Sequence, residues 1–229
     1  MPQDIWKKGR PHLEAVQEET VEIPCESVVL SADLSIPANA KGIVIFAHGS
    51  GSSRRSPRNR AVAEKLQNEG LATLLLDLLT AEEDADSSTR FDLTLMTPRL
   101  EAATSWAAAS EKISPLNVGY FGASTGAAVA LLAAAELGPQ IRAVVSRGGR
   151  ADLVGATLAR VDSPTLLIVG GRDEIVLGLN RRAYEQIGCK DKELAVIPGA
   201  THLFEEVGAL EEVAARAAHW FGKYLPGRS

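Results

Sequence analysis

Apolar residues recur at every second position over Val28, Leu30, Ala32, Leu34 and Ile36. That period of two predicts a half-buried antiparallel strand over residues 27–36. A second β-rich stretch, residues 19–23, precedes it, with a short turn around Cys25 and Glu26. The pattern then changes. Gly42-Ile43-Val44-Ile45-Phe46-Ala47 is a continuous apolar run, as expected of a strand covered on both faces. A Gly/Ser loop follows, then a helical stretch over 57–69 that Gly70 closes as a C-cap. From there strands and helices take turns. Strands are predicted over 71–76, 116–121, 141–146, 165–169 and 194–197. Helices are predicted over 90–110, 124–137, 151–159 (short), 179–187 and 205–224. Such alternation predicts an α/β domain with about eight strands, mostly parallel, and helices on both faces. The first two strands form an antiparallel edge. The chain reads as a polar N-terminal arm over 1–18 and a single domain over 19–229, without an internal repeat.

The strongest chemical signal is Gly122-Ala123-Ser124-Thr125-Gly126, between a buried strand and an alanine-rich helix. This is the context a nucleophile elbow requires. A serine on a very tight strand-to-helix turn stands exposed at the carboxyl end of the sheet. A plain Gly-rich turn is the bland alternative, and the flanking elements weigh against it. Gly119, Gly122 and Gly126 lack the spacing of a dinucleotide fingerprint. A serine hydroxyl is a weak nucleophile, so it needs a base, and the base needs an orienting acid. Asp173 follows the strand 165–169, and His202 follows the strand 194–197. Both loops are predicted at the carboxyl ends of their strands, where open α/β sheets bind ligands. Ser124, Asp173 and His202 stand in the order serine, acid, histidine that this architecture uses. Glu174 is the nearest rival acid, and a turn or N-cap is the bland role for Asp173. The other three histidines are poor bases. His12 lies in the arm. His219 lies in the last helix, where a partly buried structural role is expected. His48 is expected to hold the loop after its strand.

That loop, His48-Gly49-Ser50-Gly51-Ser52-Ser53, should help to meet a developing oxyanion. One donor is expected to be the backbone N–H of Thr125 and the other that of Ser50. The loop lacks the Gly-Lys-Ser/Thr ending of a phosphate-cradling loop. Arg147 follows the strand 141–146 and should share the same end of the sheet. It either binds a substrate carboxylate or braces loops through backbone carbonyls, and bracing is the default for arginine. The acidic residues Glu82, Glu83, Asp84 and Asp86 read as a solvated loop near the rim.

Composition narrows the picture by exclusion. The chain has 229 residues, a formal net charge of -5 and no transmembrane-length apolar run. Neither nucleic acid nor membrane is an expected partner. The basic cluster Arg54, Arg55, Arg58, Arg60 reads as a solvated helix start, with anion binding as the alternative. Cys25 and Cys189 have no metal or disulfide pattern, so reduced thiols in a cytoplasmic protein are expected. Residues 1–19 lack the apolar stretch of a signal peptide. No metal-ligand spacing occurs, so no metal is expected.

Together these residues resemble the dienelactone hydrolase family of α/β-hydrolases. The likeness runs from 48–54, through Leu76-Asp77-Leu78-Leu79-Thr80, the elbow and Val145-Ser146-Arg147-Gly148-Gly149-Arg150, to Gly170-Gly171-Arg172-Asp173 and residues 198–206. It is nearer to a branch sometimes fused to phosphoribosyltransferase domains. The resemblance implies the α/β-hydrolase fold and hydrolysis of small esters or lactones by Ser124, Asp173 and His202, without a cofactor. The family proper uses a cysteine at the elbow, so Ser124 shifts the expectation from dienelactone to a general carboxylesterase. No lid-sized insertion separates residues 146 and 173, which implies an open site for small soluble esters. A non-catalytic binder on the same fold, or an amidase or thioesterase, is the competing expectation.

Overall fold

The computed structural model describes residues 16–227. His12 and most of the expected arm lie outside the described residues. Two strands, β1 (Gln17–Cys25) and β2 (Val28–Ile36), form a hairpin whose register runs from Gln17↔Ile36 to Cys25↔Val28. β1 thus opens at Gln17, two residues before the predicted stretch. It is an edge strand, and so it tolerates Pro24. Six further strands follow: β3 (Ile43–Ala47), β4 (Ala72–Leu76), β5 (Val118–Ala123), β6 (Ile141–Arg147), β7 (Thr165–Gly170) and β8 (Lys192–Ile197). The sheet order is β1-β2-β4-β3-β5-β6-β7-β8. β2 pairs antiparallel with β1 and β4, and every later pairing is parallel.

The continuous apolar runs follow from cover on both faces. Along β3, Ile43 and Ile45 face one core while Val44 and Phe46 face the other. The first core is closed by α3 (Leu93–Ala109) and α4 (Thr125–Leu137). The second is closed by α1 (Pro57–Asn68) and the last helix (Ala209–Tyr224), whose Val213, Ala217 and Phe221 are fully buried. Ala127 through Leu131 of α4 are all fully buried. A helix hydrophobic all round is an interior element, and its small alanines let sheet and helices come close.

Several boundaries differ from the sequence pattern, each for a local reason. The predicted helix 90–110 begins only at Leu93, where Asp92 caps it by accepting from the Thr94 and Leu95 amides. Arg90 belongs to a 3-10 turn. Glu82 to Asp84 lie in a short helix, α2 (Ala81–Ala85), rather than in a solvated loop. Thr80 and Glu83 close a reciprocal capping box on it. α5 (Glu174–Gln186) starts directly after Asp173, five residues before the predicted 179, and carries Gly178 inside it. The last helix, α6, begins at Ala209 instead of 205 because Glu206 is otherwise engaged. Its carboxylate accepts from the amide and hydroxyl of Thr201 and holds a loop there. His219 is exposed on α6, not partly buried.

No lid-sized segment separates β6 from β7; a 3-10 stretch, Ala151–Arg160, fills most of that connection. Among the described residues no helix is long and apolar enough to cross a membrane.

Candidate active site

β5 ends at Ala123 and α4 starts at Thr125, so Ser124 alone makes the turn. Its backbone has φ 52 and ψ -121, a conformation that L residues adopt only under constraint. The constraint is visible. The Ser124 amide donates to Arg147 O at 3.1 Å, and its carbonyl accepts from the amides of Ala127 and Arg150. Glycine flanks the turn because nothing larger fits. A Cβ at Gly122 would lie 2.4 Å from Ala127 Cα, and one at Gly126 would lie 2.2 Å from Ala47 O.

The loops after β7 and β8 bring Asp173 and His202 to this turn. His202 Nδ1 lies 2.7 Å from Asp173 Oδ2, and His202 Nε2 lies 3.3 Å from Ser124 Oγ. A carboxylate accepts, so Nδ1–H donates to Asp173 and Nε2 is left to accept from the serine hydroxyl. Asp173 occupies the N-cap position of α5, yet its side chain caps nothing there. Its carboxylate turns to the histidine instead. Glu174 is the exposed first residue of α5.

His48 is buried, at 4% exposure. Its Nε2 accepts from the Leu78 amide at 3.0 Å, so Nδ1 carries the proton and donates to Gly49 O, also at 3.0 Å. Burial lowers its pKa, which favours this neutral form. His48 thereby holds the loop after β3, as the sequence suggested, and does so by tying it to the loop after β4.

The expected oxyanion donors differ from each other in the structure. The Ser50 amide already donates to Thr125 Oγ1 at 2.8 Å. A hydroxyl that sequence reading did not consider therefore engages it, and the bond joins the loop to the elbow. The Thr125 amide heads α4, where a helix offers no internal acceptor.

A cleft of about 240 Å³ contains Ser124, His202, Gly49 and Ser50. Arg58, Asn59 and Arg147 line it too. A larger groove of about 790 Å³ runs along β1, β2 and α1, but neither Ser124, Asp173 nor His202 lines it. Position relative to Ser124 and His202, rather than size, therefore marks the candidate site.

Sequence reading did not place Arg58 or Asn59 in the cleft. Arg58 belongs to the basic cluster that reads as a solvated helix start, with anion binding as the alternative, and nothing in the sequence marks Asn59. Ser56 caps α1 by accepting from the Asn59 amide, so the start of that helix faces the cleft. The rest of the cluster is largely paired. Arg54 bonds Asp33 and Asp77, and Arg60 bonds Asp33. Arg147 is 8% exposed. It makes a long contact from Nη2 to Asn59 Oδ1, at 3.4 Å, and its guanidinium lies 6.0 Å from the Phe204 ring centre.

A tight elbow serine, a histidine and an aspartate at the carboxyl ends of successive strands, on this sheet order, define an α/β-hydrolase. The profile of the dienelactone hydrolase family matches residues 30–225, and the chain belongs to that family. A solved dienelactone hydrolase from Anabaena variabilis is 54% identical, with a TM-score of 0.89 over 92% of this chain and 99% of that one. A serine hydrolase without a lid from Xanthomonas campestris shares the fold at 21% identity and a TM-score of 0.76, over 93% of this chain and 97% of that one. A Mycobacterium tuberculosis protein provisionally named a phosphoribosyl transferase is 53% identical over 212 residues, 93% of this chain and 48% of its own length. The chain thus spans about half the length of the curated relatives it matches at that identity. Family and neighbours support a hydrolase function.

Proposed function

We propose that this protein is a serine hydrolase that cleaves small carboxylic esters or lactones through an acyl-enzyme on Ser124, without a cofactor. The observation that carries the reading is the continuous relay from Ser124 Oγ to His202 Nε2 and from His202 Nδ1 to Asp173 Oδ2. Ser124 Oγ attacks the carbonyl carbon while its proton passes to His202 Nε2. Asp173 holds the imidazole in the required tautomer and stabilises the imidazolium. The tetrahedral oxyanion takes the Thr125 amide at the positive end of α4. Ser50 supplies the second amide once its bond to Thr125 Oγ1 is shared or released. His202 then gives its proton to the leaving alcohol. Water repeats the sequence on the acyl-enzyme and frees the acid.

The phosphoribosyl transferase name belongs to relatives about twice this long, of which the chain matches 48%. Location in the cytoplasm is part of the proposal, supported by the two free, buried cysteines. The absence of a lid-sized segment between β6 and β7 supports short acyl chains, because each buried methylene contributes about 0.8 kcal/mol only while a groove continues to cover it.

Three measurements test this. A fluorophosphonate probe should label the wild type at Ser124 and leave S124A unlabelled. S124A should lose roughly a million-fold in kcat on p-nitrophenyl esters, and near-normal turnover would sink the assignment. Across the series from acetate to palmitate, kcat/KM should peak at acetate to butyrate. A maximum at octanoate or beyond would require a hydrophobic groove that the cleft does not have.

A further inference from the structure

Packing alone does not hold His202 in place, because its side chain is 38% exposed. Its ring meets Asp173 and Ser124 through one bond each, so the backbone that carries it must itself be fixed. Yet residues 198–208, between β8 and α6, contain neither helix nor strand. Two side chains fix them instead. The first is Phe204. Its ring is 1% exposed, in the core that α1 and α6 close. Its φ is 56, which a bulky L residue adopts only where its surroundings impose it. The Phe204 amide donates to Thr201 O at 3.3 Å, and the chain turns back on itself around His202. The second is Glu206. Its Oε1 accepts from the Thr201 amide at 3.1 Å and from the Thr201 hydroxyl at 2.7 Å. The residue it grips is the one directly before the base.

Glu206 reaches the other half of the relay as well. Bonds from the Thr201 hydroxyl and from backbone amides, with attraction from Arg172 as a lesser cause, lower its pKa, so it is a carboxylate at neutral pH. Arg172 stands directly before Asp173, and its amide donates to Ala200 O at 2.9 Å. The loops of acid and base are thus joined by a backbone bond and drawn together by opposite charges. They pass so closely that a Cβ at Gly170 would lie 2.4 Å from Ala200 O and 2.6 Å from Thr201 O. The second oxygen of Glu206, Oε2, is buried without a hydrogen-bond partner. Both oxygens of Glu83, by contrast, are bonded. An unmet buried acceptor costs stability, so Glu206 is better accounted for by what it positions.

We propose that Glu206 is a positioning residue, which through Thr201 and Arg172 sets the spacing of Asp173, His202 and Ser124. The inference rests on the hydrolase reading for the reaction, and on geometry alone for the positioning. Glu206 does not line the cleft. Its loss should let His202 drift from the 3.3 Å at which Nε2 meets Ser124 Oγ. Proton transfer suffers from such drift, while binding in the cleft does not.

The test reads kcat and KM on p-nitrophenyl acetate, well below the Tm of each variant. E206A should lower kcat roughly 10- to 100-fold, the scale for a misplacement of about 1 Å, and leave KM nearly unchanged. E206Q should lose less, because glutamine still accepts from Thr201 and gives up only the charge that draws Arg172. The rate at which the fluorophosphonate labels Ser124 should fall in the same order, since it reads the serine and its base without turnover. Unchanged kcat in E206A, a loss carried by KM, or an equal loss in E206Q overturns the inference. Should E206A fail to fold, T201V carries the test. It removes only the hydroxyl bond and should lower kcat several-fold, with T201S restoring it. No change in T201V overturns the inference. If wild type cleaves no ester and its Ser124 stays unlabelled, the hydrolase reading fails, and the tautomer of His202 decides the positioning. Read from nitrogen–proton NMR correlations on histidine-labelled protein, it should be Nδ1–H in wild type and mixed in the folded variant. The same tautomer in both overturns the inference.

Discussion

Arg99 and Arg147 are two buried arginines in opposite surroundings. Arg99, on α3, is 5% exposed and fully engaged. It donates to Leu78 O at 2.9 Å and holds both oxygens of Glu83, at 2.6 and 2.7 Å. That fork ties α3 to the loop after β4 and to α2. It lies next to the Leu78 amide that His48 accepts. Arg147 has almost the same burial and none of this compensation. A cation matched by its own fold serves the fold, whereas Arg147 stands unmatched in the cleft that holds Ser124. The same division runs through the carboxylates. Glu83 is spent on a cap and an arginine, whereas Asp173 forgoes its cap for His202.

If that division is right, substitutions on the two sides should separate activity from stability. The largest effect belongs to Asp173. D173N should lower kcat about ten-thousand-fold, because asparagine favours the wrong histidine tautomer. Its Tm should stay close to wild type, since the carboxylate caps no helix. E174Q should retain most activity. Ester kinetics and thermal unfolding on both variants decide it, and a greater loss in E174Q would reassign the acid.

Next come the two arginines themselves. R99M should cost about 2–3 kcal/mol in chemical denaturation, because Glu83 and Leu78 O lose their partner. R147M should be neutral or slightly stabilising, because it removes an unpaired buried charge. Equal losses in both would erase the comparison.

The smallest effect is that of pH. Arg99 beside Glu83 holds its carboxyl down to about 2, from an ordinary 4.5. A depressed carboxylate stabilises the fold above its unfolded value, and that contribution fades as pH falls through the folded one. Stability should therefore decline from about pH 4.5 towards 2, and E83Q should flatten this part of the profile. An acid limb identical in E83Q would assign it to other groups.

Much of this was legible in the chain itself. The apolar run at 42–47 required cover on both faces, and both faces are covered. The elbow declared itself because small residues around a serine, between strand and helix, answer a steric demand local to five residues. Asp173 and His202 were legible because each follows a strand directly, and strand ends are local too. The expected start of α5 at 179 missed because burial of Val176 and Leu177 carries the helix back through Gly178 to Glu174. The acidic run at 82–86 looked solvated because Arg99, its partner, lies 16 residues beyond Glu83.

The sequence by itself determined the order of elements, the serine turn and the succession of serine, aspartate and histidine, because burial periodicity and backbone sterics act between near neighbours. Tertiary structure alone decided which charges meet. It gave the Ser50 amide to Thr125 across 75 positions, chose Asp173 over Glu174 for His202, and satisfied Arg99 while leaving Arg147 unpaired. Pairing depends on distances through space and on the desolvation of each partner, and no spacing along the chain encodes either.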